Sequence, residues 1–322
     1  MEVNQRNIKV WSTIGPRATL GIAALDLAKK INNLMVLTCD VSTSAGLDRY
    51  RKLFPEKYID LGIAEQNMLG VAAGLASENF NVVTTTFAPF QTLRCCEQIK
   101  VNLGYMNSKV CMVGIASGLV LGTLGFTHCC IEDVGILRTV PGITIISPAD
   151  SLETFKALEA AIKLNQPTYI RLTGGSNNPI VNSKDYEFKI GKSIKLKDGS
   201  DITIFSTGAS VYESLKAAEK LEEEKISCEV INMHTIKPLD TDAVKKSLNK
   251  KLLVSIEEHN IIGGLGTALS ENLINQNTIP RLLIWGIEDT YVLTGSYNDI
   301  LLKAGLTIEK ITSNLRKEYN KL

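Results

Sequence analysis

The sequence predicts an α/β protein of two domains, each a mainly parallel sheet covered by helices. The chain has 322 residues, and at roughly 150 residues per domain that length accommodates two full cores. Apolar strand-like runs alternate with helix-length amphipathic stretches along the whole chain, as expected of parallel strands joined by right-handed crossover helices. One break interrupts the alternation: GGSNNPIVNSKD (174–185), rich in Gly, Asn and Ser, has the composition of a linker. A first domain over 1–182, a linker over 183–190 and a second domain over 191–322 follow from it.

A helical pattern over 17–31 precedes the apolar strand MVLTCD (35–40). EQNMLGVAAGLASE (65–78) has helical spacing and leads into NVVTTTF (81–87), a β-branched strand. VCMVGIA (110–116) and ITIISPAD (143–150) are further strands; SLETFKALEAAIKLN is a helix, and TYIRLT (168–173) is a strand. After the break come the strand SDITIFSTG, the helix VYESLKAAEKLEEEK and the strand SCEVINMHTI (227–236). The strand LLVSIEEH, the helix TALSENLINQ and the strand RLLIWGI complete the pattern. KDGS (197–200) predicts a hairpin turn from its Asp-Gly pair, and Glu222, Glu223 and Glu224 form a solvated helix face. The longest uncharged run, Val110–Ile131, holds Gly114, Gly118, Gly122 and Gly125. Those glycines fit a buried strand over 110–115 followed by a Gly-rich loop better than a membrane-spanning helix.

Composition narrows the function. Hydrophobic residues make up 44% and charged residues 21%, which excludes disordered and collagen-like chains. Lys plus Arg is 35 against 34 for Asp plus Glu, a net charge of +1. That balance gives no electrostatic footprint for nucleic acid or an anionic membrane, so the expected partner is a small molecule or another protein. The start, MEVNQRNIKVWST, has no apolar core of signal-peptide length. The seven cysteines include the adjacent pairs Cys95-Cys96 and Cys129-Cys130, which do not match zinc spacing. The expectation is a cytoplasmic protein with reduced thiols and no metal ligands of its own.

Open α/β sheets bind ligands at the carboxyl ends of their strands, and candidate residues cluster in such places. Glu65 opens a helix of small apolar residues and is the sole acid between Asp60 and Glu78. It is either a first-turn carboxylate complementing the helix dipole or an acid with a raised pKa that shares a proton with a ligand nitrogen. Phe87 and Phe90 in TTTFAPFQTLRCCEQI are either core aromatics or a stacking platform for a flat heterocycle. His128 follows a Gly-rich loop, a position suited to proton transfer. Arg171 in TYIRLTGG reads better as a strand-end ion pair than as an anion contact. GGLG (263–266) reads as a structural strand-to-helix turn.

The ordered set GIAEQNM, TFAPFQ, FTH with IEDVGILR, SPAD, and EEHNIIGGLGTAL closing with TGSY resembles the C-terminal half of transketolases. The resemblance spans about residues 8 to 318, and it is strongest to the separately encoded C-terminal subunit of bacteria. It implies a thiamine pyrimidine-binding domain followed by a transketolase C-terminal domain. In that family the glutamate matching Glu65 hydrogen-bonds the aminopyrimidine of thiamine diphosphate and favours its imino tautomer. The positions of Phe87 and Phe90 pack against the pyrimidine, and Leu93 stands where some relatives carry a further aromatic. The histidine matching His128 contacts donor-substrate hydroxyls and assists proton transfer. The implied reaction moves a two-carbon ketol unit from a ketose to an aldehyde or keto-sugar acceptor.

Departures from the family pattern are as informative. Leu124 replaces the usual hydroxyl-binding Asp, Gly174 the phosphate-gripping Arg, and Ala116 a phosphate-side His, leaving Ser44 in DVSTSAG as the remaining phosphate contact. The expected substrate therefore lacks a terminal phosphate, or is a nucleotide-linked keto-sugar. The diphosphate-and-magnesium signature, Gly-Asp-Gly, occurs nowhere in the chain. An N-terminal transketolase subunit supplying that site, in an α2β2 heterotetramer, is implied. The small residues Gly70, Ala72, Ala73, Gly74 and Ala76 suit close helix packing at that interface. Two other readings stay open: the beta subunit of a 2-oxoacid dehydrogenase decarboxylase, and a non-catalytic regulatory paralogue.

Overall fold

The computed structural model describes residues 1–291 and 294–322. The first sheet contains β1 (Leu34–Thr38), β2 (Tyr58–Asp60), β3 (Asn81–Phe87), β4 (Val110–Ile115), β5 (Thr144–Ile146) and β6 (Thr168–Arg171). The second contains β7 (Ile194–Lys197), β8 (Ile202–Ser206), β9 (Cys228–Asn232), β11 (Leu252–Asn260) and β12 (Arg281–Ile287). The short strand β10 (Thr235–Lys237) lies between β9 and β11 in the chain. Strand order is β10-β5-β6-β4-β3-β1-β2 in the first sheet and β12-β11-β8-β9-β7 in the second. Pairing is parallel except for the edge strands β10 and β7.

Helices cover both faces of each sheet, which is why the strands read as continuous apolar runs. In the first sheet Val36, Val83 and Val113 pack under the helices Gln5–Ala28 and Ser151–Lys163. Their neighbours Met35, Leu37, Val82 and Met112 face Met68, Leu69 and Ala72 of the helix Glu65–Ser77. The second sheet divides likewise. Ile204 and Val254 meet the helices Ser210–Glu223 and Ile308–Tyr319, while Phe205 and Leu253 meet Leu265–Leu273. Among the described residues no helix is long and apolar enough to cross a membrane. The run after β4 is a Gly-rich loop.

Three expectations need correction. The first helix begins at Gln5 rather than 17, capped by Asn4 and kinked where Gly15 takes φ 82° ahead of Pro16. SCEVINMHTI is not one strand. The chain leaves the second sheet after Asn232, and Ser147 N donates to His234 O at 2.7 Å. Thr235–Lys237 then pairs antiparallel with β5 of the first sheet. His234 is buried in this crossing, its ring tilted by 31° against that of Phe188 with centroids 4.2 Å apart, and burial pushes its imidazole down to about 4. Finally, KDGS does not close a hairpin, because β9 lies between β7 and β8.

Gly199 is needed for close approach instead: a Cβ there would overlap the backbone of Cys228 and Glu229. Gly199→Ala is expected to cost about 1–3 kcal/mol through overpacking. A urea midpoint equal to the parent's, at unchanged m, would show that the site can relax.

The segment after residue 173 is tied down. Val181 N and Asn182 N donate to Asp150 Oδ2 at 3.0 and 2.6 Å. Tyr186 OH donates to Glu153 Oε1 at 2.7 Å. Asn232 Nδ2 of the second sheet reaches the same Glu153 carboxylate at 3.0 Å, so this carboxylate, on the helix Ser151–Lys163 of the first domain, joins the linker to the second sheet.

Candidate active site

Strands β4, β3, β1 and β2 are consecutive neighbours in the first sheet. The loops leaving their carboxyl ends therefore stand side by side, the usual ligand edge of such a sheet. Those loops carry His128, the Phe87/Phe90 pair, Ser44 and Glu65 in that order across the edge.

Glu65 is the first residue of its helix and is only 3% exposed. Its surroundings are not purely apolar: Arg94 Nη1 donates to Glu65 Oε2 at 2.8 Å. The same guanidinium lies over the Phe90 ring, 4.1 Å from its centroid, a cation–π contact. Phe90 meets Phe87 edge to face at 6.3 Å and His128 at 5.3 Å. Phe87 and His128 are 6.0 Å apart, and His128 Nδ1 pairs with Thr127 Oγ1 at 2.9 Å. One unbroken run of contacts thus links Glu65, Arg94, Phe90, Phe87 and His128. Their rings are half-buried.

Arg94 went unremarked in the sequence. The available signal was a lone cation in the short stretch between β3 and Glu97, after two aromatics. Ser44 is half-buried in the Val41–Leu47 loop, whose backbone closes on itself through Ala45 N to Val41 O and Leu47 N to Ser42 O. Its hydroxyl pairs with none of the aromatic or charged residues above. Cys39 and Cys95 lie close to Glu65, but burial, followed by the glutamate's charge in Cys95, pushes their thiols up to about 11 and about 12. They stay protonated and are poor nucleophiles.

Arg171 is a buried ion pair. Its Nε donates to Asp133 Oδ1 and Oδ2 at 3.0 and 2.9 Å, and its Nη2 to Cys130 O and Glu258 O at 3.1 and 2.9 Å. Tyr169 OH donates to the same aspartate at 2.7 Å. GGLG is structural: Glu257 accepts from Leu265 N and Gly266 N at 2.7 and 2.9 Å, capping the following helix. A Cβ at Gly264 would strike that carboxylate.

The three departures also have physical explanations. Leu124 is exposed on the Gly-rich loop. Gly174 takes φ 87° with the Asn178 amide pressed against it, and Ala116 is buried at φ 53°. Of the small residues in the Glu65 helix, Gly70 and Gly74 face open space, whereas Ala72 and Ala73 pack into the protein's own core. Two adjoining cavities of about 230 and 250 Å³ lie where the domains meet, beside Glu132, Asn260 and Asp289. Neither is lined by Glu65, Phe87, Phe90 or His128.

Comparison with known proteins identifies both domains. Residues 13–178 match the family model of the transketolase pyrimidine binding domain, and residues 191–311 that of the transketolase C-terminal domain. The chain is similar to a 6-deoxy-6-sulfo-D-fructose transketolase subunit of a Clostridium species, 37% identical over 290 residues, covering 89% of each chain. It is also similar to an apulose-4-phosphate transketolase subunit of Phocaeicola vulgatus, 34% identical over 288 residues, covering 89% of this chain and 92% of that one. A solved split-gene transketolase, described as an inactive β4 tetramer, superposes with a TM-score of 0.87 at 32% identity, covering 95% of this chain and 99% of the other. The chain belongs to the transketolase family and has the two-domain make-up of its separately encoded C-terminal subunits.

Proposed function

We propose that this chain is the C-terminal subunit of a split, thiamine-diphosphate-dependent transketolase that moves a two-carbon ketol unit from a ketose to an aldehyde or keto-sugar. The contact run from Glu65 through Phe90 to His128 at the carboxyl edge of the first sheet is the observation that carries it. A 2-oxoacid dehydrogenase subunit has no comparable support, since the relatives above are transketolase subunits.

The residues present fit the pyrimidine end of the cofactor. Arg94 occupies Oε2 of the buried Glu65, and Oε1 has no hydrogen-bond partner among the described residues. Beside it, edge-to-face aromatics offer a flat ring area and quadrupole contacts. Thiamine diphosphate, when bound, supplies a carbon nucleophile for the ketose carbonyl and an electron sink for the fragment. Glu65 holds or releases a proton at Oε1, the oxygen that Arg94 does not engage. Thr127 engages His128 Nδ1 and leaves Nε2 to meet a sugar hydroxyl or carry its proton. Diphosphate and magnesium belong to an N-terminal partner subunit in an α2β2 assembly; that the relatives are themselves transketolase subunits supports the partner, and the stoichiometry is the one the family resemblance implies. Gly70 and Gly74, open to solvent on the Glu65 helix, suit close approach of that partner.

The donor or acceptor is unphosphorylated or nucleotide-linked. At Gly174 the left-handed backbone, φ 87°, disfavours an arginine, and the Asn178 amide sits where its Cβ would go. The reconstituted two-subunit enzyme, given thiamine diphosphate and magnesium, is to be assayed with xylulose 5-phosphate and with fructose as donors. Turnover is expected only when the two subunits are present together, with no advantage for the phosphorylated ketose. A strong preference for xylulose 5-phosphate would overturn the substrate assignment. Absence of cofactor binding with the partner present would overturn the enzyme assignment in favour of a regulatory paralogue.

A further inference from the structure

The loop that carries His128 is closed at its neck and held from the other domain. Gly118 and Cys130 form an antiparallel bridge, with Gly118 N to Cys130 O at 2.7 Å and Cys130 N to Gly118 O at 2.9 Å. Glu258, on β11 of the second sheet, reaches this neck. Its Oε1 accepts from Leu119 N at 2.6 Å, and its Oε2 accepts from Tyr297 OH at 2.6 Å. Gly118 takes φ 70°, and a Cβ there would overlap the Glu258 carboxylate. Glycine is therefore the residue that lets the carboxylate approach.

Second-domain contacts continue along the loop. Gly295 N donates to Gly122 O at 3.2 Å. A Cβ at Gly122 would run into Ile300, and one at Gly125 would crowd Thr294. The Phe126 and Tyr291 rings lie 4.6 Å apart. His128 follows immediately, its N donating to Gly125 O at 3.0 Å. The TGSY segment thus lies against the Gly-rich loop from neck to tip.

Burying a carboxylate is costly unless its oxygens are satisfied. Glu258 is 2% exposed, and both of its oxygens are used on one linkage: backbone of the His128 loop on one side, Tyr297 on the other. We propose that Glu258 and Tyr297 are positioning residues for His128, so that the second domain sets the geometry with which this subunit meets the donor sugar. This rests on the assignment of His128 to the donor site. Displacement of a reacting group by about 1 Å costs up to roughly 100-fold in rate. The effect falls mainly on the donor, because Glu65, Phe87 and Phe90 are held by other loops and only the edge contacts of the two rings with His128 change.

The test uses the reconstituted complex with xylulose 5-phosphate and with fructose, comparing Glu258→Leu, Glu258→Gln, Tyr297→Phe and His128→Ala. Glu258→Leu is expected to lower donor kcat/KM about 100-fold, and Tyr297→Phe about 10-fold. Thiamine diphosphate affinity should match the parent in both. Glu258→Gln restores most of the activity, since an amide can accept from Leu119 N and donate to the Tyr297 oxygen. Should Glu258→Leu fail to fold, Tyr297→Phe decides, because it removes a single hydroxyl. Parent-like donor kinetics in Tyr297→Phe, beside a crippled His128→Ala, would overturn this inference and leave the proposed function standing. Parent-like kinetics in His128→Ala would remove His128 from the donor site and this inference with it.

Discussion

Glu65→Gln is expected to lower kcat of the reconstituted enzyme by about 10²- to 10⁴-fold, the range general acid–base groups contribute, with the fold intact. The amide has nearly the shape of the acid and still offers an oxygen to Arg94 Nη1, now 2.8 Å from Oε2. It cannot pass a proton at the other position. Structural loss is small because the Arg94 side chain is 42% exposed and finds water when its anion is removed. Because the cation left behind is in reach of water, the loss stays below the penalty for breaking a fully buried pair. The comparison therefore separates chemistry from folding: kcat should collapse while the thermal midpoint barely moves. Near-parent kcat in the glutamine variant would remove Glu65 from the reaction, and a large drop in midpoint would make it a structural residue.

How much of this could be read from the chain varies with how local each feature is. β3 and β12 fall at 81–87 and 281–287 as the sequence implies, because short runs rich in β-branched and large apolar residues favour the extended chain whether the strand is central, as β3 is, or at the edge, as β12 is. Glu65 is visible for a similar reason, as a lone acid where a strand gives way to a helix of small residues. Thr235–Lys237 shows the limit. TIK reads as a continuation of the strand before it, but its pairing partner is β5, some 90 residues earlier, and no local pattern specifies which sheet a strand joins. Arg94 is hidden for another reason. Its reach to Glu65 depends on how the chain turns between Gln91 and Cys96, and the two residues stand 29 positions apart. Glu258 is present in the EEHN motif, but its role depends on Leu119 and Tyr297, far away in the chain in both directions.

Arg171→Met is expected to cost about 3–5 kcal/mol, the usual penalty for stripping one partner from a buried ion pair. Asp133 has no measurable exposure and Arg171 is 2% exposed, so neither charge can recover its loss in water. After the substitution Asp133 keeps only the Tyr169 hydroxyl and the distant His259 Nε2, 3.8 Å away. That His259 nitrogen already accepts from Gly135 N at 3.3 Å, while Nδ1 pairs with Asn260 O at 2.7 Å. The imidazole is therefore the tautomer with its proton on Nδ1 and has none to give the aspartate. The carbonyls of Cys130 and Glu258 also lose their shared donor, and these two belong to different domains. A thermal midpoint lower by on the order of 5–10 °C follows. Adding Asp133→Leu should recover part of the loss, because the orphaned charge carries much of the penalty. What it cannot recover is the bridge from β6 to β11. If that bridge couples the domains, the parent unfolds in one calorimetric transition and the double variant in two. A single transition of parent-like cooperativity in the double variant would confine Arg171 to local neutralisation of Asp133.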